Sequence, residues 1–161
     1  MSDEIEVRKM KDSDVGQVID MMHRLKRLNQ EFDPTFQVSD PPVEEVRESL
    51  NEAIRQEKKH ILLVADAGGK AVGIVKADIH DRIYYLPRQD ARITEFYVMP
   101  EFRRRMLGRK LISELYRELK KRNITMVSAE FPSSNLIALG FYRGLGYRNI
   151  VSVYGRYLEE S

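Results

Sequence analysis

Residues 93–119, ITEFYVMPEFRRRMLGRKLISELYREL, constrain the fold more than any other stretch of the chain. They open on an apolar run, Ile93 to Val98, rich in β-branched and aromatic side chains, which reads as a buried strand. Pro100 has no N–H to donate and ends strand pairing. A short loop with Arg103, Arg104 and Arg105 follows, and Gly108 comes soon after. From Leu107 the apolar residues fall at 107, 111, 112, 115, 116 and 119, one stripe of an α-helix. The order strand, cationic loop, helix sets unpaired N–H groups and a partial positive charge beside arginines. That suits a phosphate-bearing ligand. The same unit is also the commonest piece of any α/β domain, with solvated arginines, so this stretch alone leaves both readings open.

Composition narrows the function classes. The chain has 161 residues, 42% hydrophobic and 32% charged, which fits one globular domain with a sizeable core. A net charge of +2 argues against a general nucleic-acid coat. The basic cluster at 103–110 could still act locally on nucleic acid, and that rival reading makes nucleic acid an unlikely partner rather than an impossible one. The absence of cysteine excludes disulfides, thiolate metal ligands and a cysteine nucleophile, and it suits a reducing cytoplasm. His23, His60 and His80 show no metal-ligand spacing, so no metal is expected. No run approaches transmembrane length, and MSDEIEVRKM lacks the apolar core of a signal peptide, so no membrane is expected.

Along the chain, Ile5 to Met10 alternates as a strand. Asp12, Ser13 or Asp14 caps a helix running to about Asn29, with Val15, Val18, Ile19, Met22, Leu25 and Leu28 on its apolar face. Residues 29–40 read as a loop in which Phe32 and Phe36 either pin the loop to the core or line a substrate pocket. Asp40-Pro41 starts a second helix. Strands His60–Ala65 and Ala71–Ile79 meet at a tight Gly68-Gly69 turn. A polar loop over 80–90 precedes the third long strand, Ala91 to Met99, and then the helix to about Arg122. Ile124 to Phe131 reads as a strand, and Ser133 or Ser134 caps a short helix ending near Gly144 or Gly146. A strand or strand pair is expected over Tyr147 to Leu158. The order predicts an α/β fold: one mixed, mostly antiparallel central sheet with helices on both faces and no domain boundary. An exposed C-terminal strand could pair in a homodimer.

A second stretch, residues 125–147, carries a more specific pattern. NLIALGFYRGLGY resembles the signature N-x-x-A-x-x-F-Y-x-x-L-G-F/Y of the GCN5-related N-acetyltransferase (GNAT) superfamily, through Asn135, Ala138, Phe141, Tyr142, Leu145 and Gly146. Upstream, YVMPEFRRRMLGRKLI resembles that family's acetyl-CoA motif, V-x-P-x-Y/F-R/Q-x-x-G-x-G/A, through Val98, Pro100, Phe102, Arg103 and Gly108. The order and separation of the two motifs match, and the element order from 5 to 158 looks like the GNAT fold. One motif glycine is replaced by Met106, which keeps the N–H but adds a side chain. Ligand binding survives if that side chain points away and φ stays negative, and affinity falls otherwise.

The resemblance implies a single N-acetyltransferase domain over 1–161. The implied activity is acetyl-CoA-dependent transfer to a primary amine of a small molecule or peptide, by direct attack on the thioester. It implies pyrophosphate contacts from Arg103, Arg104, Arg105, Met106, Leu107, Gly108, Arg109 and Lys110. A backbone N–H among Phe96, Tyr97 and Val98 is expected at the thioester carbonyl, after a bulge that splays two parallel strands. Asn135 is expected on the pantetheine arm or a water, with a helix-start cap as its alternative. Tyr142 is the family-matched proton donor to the leaving thiolate, with core packing as its alternative. Glu130, five residues before Asn135, and Glu95, on the cofactor strand, compete as general base, and Glu130 is preferred. Acceptor selectivity is expected from the first two helices, the 29–40 and 80–90 loops and the C-terminal strand. There Phe32, Phe36, Tyr84, Tyr85 and Tyr154, with Asp33, Asp40, Asp81 and Asp90, suit a cationic amine. A non-catalytic acetyl-CoA-binding regulatory module is the alternative that Met106 motivates.

Overall fold

Four antiparallel strands in sequence order, and a fifth that runs parallel to its neighbour, make the sheet. The computed structural model describes residues 4–159, apart from the side chains of Arg104 and Arg105. β1 (Ile5–Lys9) is followed by a 3-10 turn (Asp12–Asp14), α1 (Val15–Phe32), a second 3-10 turn (Pro34–Phe36) and α2 (Val43–Arg55). Then come β2 (His60–Ala67), β3 (Lys70–Asp81) and β4 (Gln89–Val98). A 3-10 turn over Pro100–Arg105 leads into α3 (Leu107–Lys121), β5 (Val127–Ala129) and α4 (Leu136–Gly144). Gly68 and Gly69 close the β2–β3 hairpin with φ of +60° and +94°, the left-handed pair that a two-residue turn needs.

Both sheet faces are covered, as the sequence predicts. Leu107, Leu111, Ile112, Leu115 and Leu119 lay the stripe of α3 on Leu63, Val72, Val75, Ile93 and Val98, with α4 alongside. Val15, Val18, Ile19, Met21 and Leu25 of α1 and Leu50 of α2 cover Val64, Ile74 and Tyr97 on the opposite face.

Several boundaries differ from expectation. α1 runs on to Phe32, because nothing in residues 29–32 breaks it; it ends where Asp33 is extended and accepts the Thr35 N–H, just before Pro34. α2 begins at Val43 rather than at Asp40-Pro41. Pro41 precedes Pro42, and a residue before proline is driven out of the helical region. β5 keeps only three residues. The helix after it is capped by Asn135, not by Ser133 or Ser134. The largest difference is at the C-terminus, where the expected strand over 147–158 is absent and residues 148–159 make no backbone hydrogen bond among the described residues.

One ion network ties β1 to the start of α1. The Arg8 guanidinium donates to Asp14 at 2.7 and 2.9 Å and to Asp66 at 3.0 and 3.2 Å. The Arg8 hydrogen bond is the main cause that holds the Asp14 carboxyl below its usual range, against opposing burial. A carboxylate with a depressed folded pKa adds stability that is full above the unfolded value and is lost as pH falls through the folded one. Breaking one side of a buried pair costs up to about 3–5 kcal/mol, and this pair is partly exposed, so Asp14→Asn should cost about 2 kcal/mol at neutral pH. Urea titrations at decreasing pH should show the gap between variant and wild type closing in acid. A gap independent of pH would mean that packing, not charge, sets the loss.

Candidate active site

Along β4, the side chains that face α3 switch from odd to even numbers. Ala91 and Ile93 lie under α3, and so do Phe96 and Val98, while Tyr97 faces α1 and α2. The switch is a bulge: Ala77 pairs with Ile93 but Lys76 with Glu95, so Thr94 is the extra residue. The backbone switches too. Before the bulge, the Ala91 N–H donates to Met126 O and the Glu130 N–H to Ile93 O, each at 3.0 Å, so odd residues face β5. After it, the Met99 N–H donates to Val72 O at 2.9 Å, so odd residues face β3. By alternation, the backbone groups of Phe96 and Val98 then point away from β3. Parallel pairing of β4 with β5 ends at Ile93–Ala129, beside the bulge. The strands part there and leave a cleft edged by the N–H groups of 96 and 98. Tyr97, expected with them, turns its N–H to β3 instead.

Aromatic rings line the α4 side of this cleft. Tyr142 stacks on Phe131, past the end of β5, with centroids 5.4 Å apart, and lies 6.4 Å from Phe96 on β4. It thus sits beneath the parting strands and is only 5% exposed. Burial, and then the neighbouring Tyr116, push its phenol well above the ordinary tyrosine range, so it holds its proton at neutral pH. The Tyr116 and Tyr147 hydroxyls bond each other at 2.6 Å. The sequence reading missed that pair, because Tyr116 counted only as part of an apolar stripe.

At the far end of β4, Met106 caps α3 with φ +55°, in the left-handed region, so the negative φ expected of it is not what the chain adopts. Its side chain is 67% exposed. The N–H groups of 107–109, in the first turn, have no intrahelical acceptor. Left-handed φ costs a non-glycine residue roughly 1–2 kcal/mol, so Met106→Gly should raise the unfolding midpoint despite its freer unfolded chain. A lower midpoint would show that the thioether contributes packing that its exposure hides. Gly108 is needed for a different reason. A Cβ there would lie 3.1 Å from Cζ of Phe96, whose ring is stacked on Phe141 at 5.4 Å. Gly108→Ala should therefore destabilise by about 1–3 kcal/mol, although alanine is the better helix former. A stabilised variant in thermal unfolding would mean that Phe96 yields easily.

The expected cationic contacts are mostly used within the protein. Arg103 donates through Nε to Val98 O at 2.9 Å and lies over the Tyr97 ring. Lys110 donates to Ile5 O on β1, and Arg109 reaches the end of α4 beside Gly144. The side chains of Arg104 and Arg105 lie outside the described residues. Asn135 caps α4, its Oδ1 accepting the Ala138 N–H at 3.0 Å.

The two carboxylates differ in setting. Glu95 accepts from Lys26 Nζ of α1 through both oxygens, at 2.6 and 2.7 Å. Lys26 escaped the sequence reading. The usable signal was an acid inside an apolar strand, which requires a partner. Glu130 is exposed and follows the last β4–β5 rung directly. Several of the residues expected to select the acceptor are engaged elsewhere. Asp33 caps a 3-10 turn, Asp81 accepts from Gln89, and Asp90 is buried near His80. Tyr84 and Tyr85 are exposed before β4, at the end opposite the Pro100–Arg105 turn. Among the described residues there is no group of three potential metal ligands, and no helix is long and apolar enough to cross a membrane.

Residues 23–147 match the model of the acetyltransferase (GNAT) family. The chain belongs to this GNAT family. An uncharacterized N-acetyltransferase of Methanocaldococcus jannaschii is 34% identical to this GNAT chain over 84 residues, 52% of this chain and 37% of that relative. The match therefore spans little more than a third of that relative's length. Among solved structures, an aminoglycoside antibiotic 6'-N-acetyltransferase from Acinetobacter baumannii superposes with a TM-score of 0.76 at 14% identity, covering 98% of this chain and 100% of the other. A predicted acetyltransferase of Clostridium acetobutylicum, solved with acetyl-CoA, gives 0.73 at 17% identity, covering 98% and 96%. At such identities the likeness establishes the GNAT fold.

Proposed function

We propose that this GNAT chain transfers the acetyl group of acetyl-CoA to a primary amine of a small molecule or peptide. The observation that carries the reading is the bulge at Thr94. It turns the N–H groups of Phe96 and Val98 into a cleft that runs from the start of α3 to the proton-holding Tyr142. The cleft suits the co-substrate on two counts. The side chain of Met106 is exposed rather than packed into the protein, and Thr94 Oγ1, at the bulge, is buried without a hydrogen-bond partner among the described residues.

Acetyl-CoA supplies a thioester carbonyl open to attack by an amine. The N–H groups of 107–109 hold the pyrophosphate at the helix start, with Arg104 and Arg105 on the adjoining turn. The N–H of Phe96, with that of Val98 beyond it, offsets the negative charge that develops on the thioester oxygen. Glu130 takes the proton from the ammonium of the acceptor, directly or through a water, because an ammonium has no lone pair to attack with. As the N–C bond forms and the C–S bond breaks, Tyr142 gives its proton to the departing sulfur, and the second proton, shed by the nitrogen as the amide forms, returns through solvent to Tyr142 and restores the phenol. Glu95, already holding one ammonium, sets the charge on the α1 side of the cleft.

The small-amine acceptor is supported by the neighbour that acts on aminoglycosides and by the exposed Glu130 carboxylate next to the last β4–β5 rung. The test is release of free CoA from acetyl-CoA across polyamines, amino acids, aminoglycosides and peptides. Release with one class, abolished in its N-blocked form, is the expected result. Tight acetyl-CoA binding with no release against any of them would make the protein a binding module.

A further inference from the structure

Ala77, Ile93 and Ala129 lie level with one another across β3, β4 and β5, and all pack on the α3 side. Side chains alternate along a strand, so the next rung, Asp78, Arg92 and Ser128, faces the other way. Lys76, two residues before Asp78, and Glu130, two after Ser128, share that face. It is the face of Tyr97 and α1, on which Lys26 meets Glu95.

Arg92 is half-buried, and its acidic neighbours on β3 and β4 hold other basic groups. Glu95 accepts from Lys26 through both oxygens. Asp78 Oδ1 accepts from Lys76 Nζ at 2.6 Å, with His60 Nδ1 2.7 Å from the same oxygen. Asp90, on the far side of Ala91, lies 3.7 Å from His80. Among the described residues Arg92 joins no ion pair, although Asp78 is its partner across the β3–β4 ladder. The hydrogen bond its side chain makes is a long one, from Nε to Ser128 Oγ at 3.4 Å. A guanidinium keeps its charge in such a place, and a charge drawn out of water ordinarily has a partner. The Nη groups form a planar fork that matches the oxygens of a carboxylate or a phosphate.

We propose that Arg92, with the Ser128 hydroxyl beside it, binds an anionic group on the acceptor: the amine that receives the acetyl group carries a carboxylate or a phosphate of its own. The assignment of this ligand as the acceptor rests on the proposed transfer and on Glu130 as its base. Ser128 and Glu130 stand one strand repeat apart, about 7 Å. An acceptor that reaches both holds its nitrogen several bonds from its anion. γ-Aminobutyrate has that spacing, whereas α-aminobutyrate carries both groups on one carbon. Arg92 meets the end of the molecule that does not react, so it acts on KM rather than on kcat.

Calorimetric titration of the full chain in the presence of CoA tests the site apart from turnover. γ-Aminobutyrate and aminopropyl phosphate should bind about 10- to 100-fold more tightly than n-butylamine, the range of a hydrogen bond to a charged group. The tighter of the two names the anion. α-Aminobutyrate should bind no better than n-butylamine. Arg92→Gln, with unchanged far-UV circular dichroism, should abolish the preference, and the wild-type comparison stands whether or not that variant folds. Release of free CoA from acetyl-CoA with the same amines separates the two readings. Anion-selective binding without release keeps the Arg92 site and removes the transfer. Release with n-butylamine at the same KM as with both anionic amines keeps the transfer and removes the site. Equal affinities for charged and uncharged amines, a preference that survives Arg92→Gln, or α-aminobutyrate binding as tightly as γ-aminobutyrate would each overturn the proposal.

Discussion

Tyr142→Phe should lower kcat about 10²-fold, the size of a lost general acid, while the Kd for acetyl-CoA changes less than about threefold. The two effects separate because the ring and the hydroxyl have different tasks. The ring stacks on Phe131 and packs against Phe96, Phe141 and Tyr147, and phenylalanine keeps all of that. Only the proton donor is removed. Because burial raises the Tyr142 pKa, the wild type should show no alkaline loss of rate within the ordinary tyrosine range. Steady-state rates and calorimetric binding measure the two quantities independently. Equal losses in kcat and affinity would make Tyr142 a packing residue.

Glu130→Gln should lower the rate by about 10²-fold well below the pKa of the acceptor amine, and by progressively less as pH approaches it. Below that pKa the amine arrives protonated and needs a base. Near it, a growing share arrives as free amine. Glutamine preserves the size of an exposed side chain, so stability should barely change. The paired experiment is Glu95→Gln, which removes the carboxylate that pairs with the Lys26 ammonium. If Glu95 sets charge at the acceptor side, its loss raises KM for a cationic acceptor more than it lowers kcat. If instead Glu95→Gln produces the pH-dependent loss and Glu130→Gln leaves the pH–rate profile unchanged, the proton passes through Glu95.

What the sequence made legible followed from periodicity and turn chemistry. The stripe of α3, the Gly68-Gly69 hairpin and the two-faced sheet are local patterns that tertiary contacts only reinforce. The resemblance implied a bulge, but its position at Thr94 was not readable from the residues, since no side chain in ITEFYV marks where one ladder rung is skipped. For that reason the sequence could not separate Phe96 and Val98 from Tyr97. The Lys26–Glu95 pair joins residues 69 positions apart, and its geometry depends on the docking of α1. The C-terminal segment has the composition of a strand but lacks a neighbour within its own chain, and a strand is defined by its partner. Met106 shows the reverse: a residue expected at negative φ takes a left-handed turn that favours glycine.

The account rests on a cleft between β4 and β5 that receives the pantetheine arm, and backbone amides report on it directly. Titrating the 15N-labelled protein with acetyl-CoA should move the amide resonances of Phe96, Val98 and residues 107–109 most. Tyr97, turned to β3, and the connection before β4 should stay nearly fixed. Large shifts confined to other elements, with Phe96 and Val98 unmoved, would contradict the account.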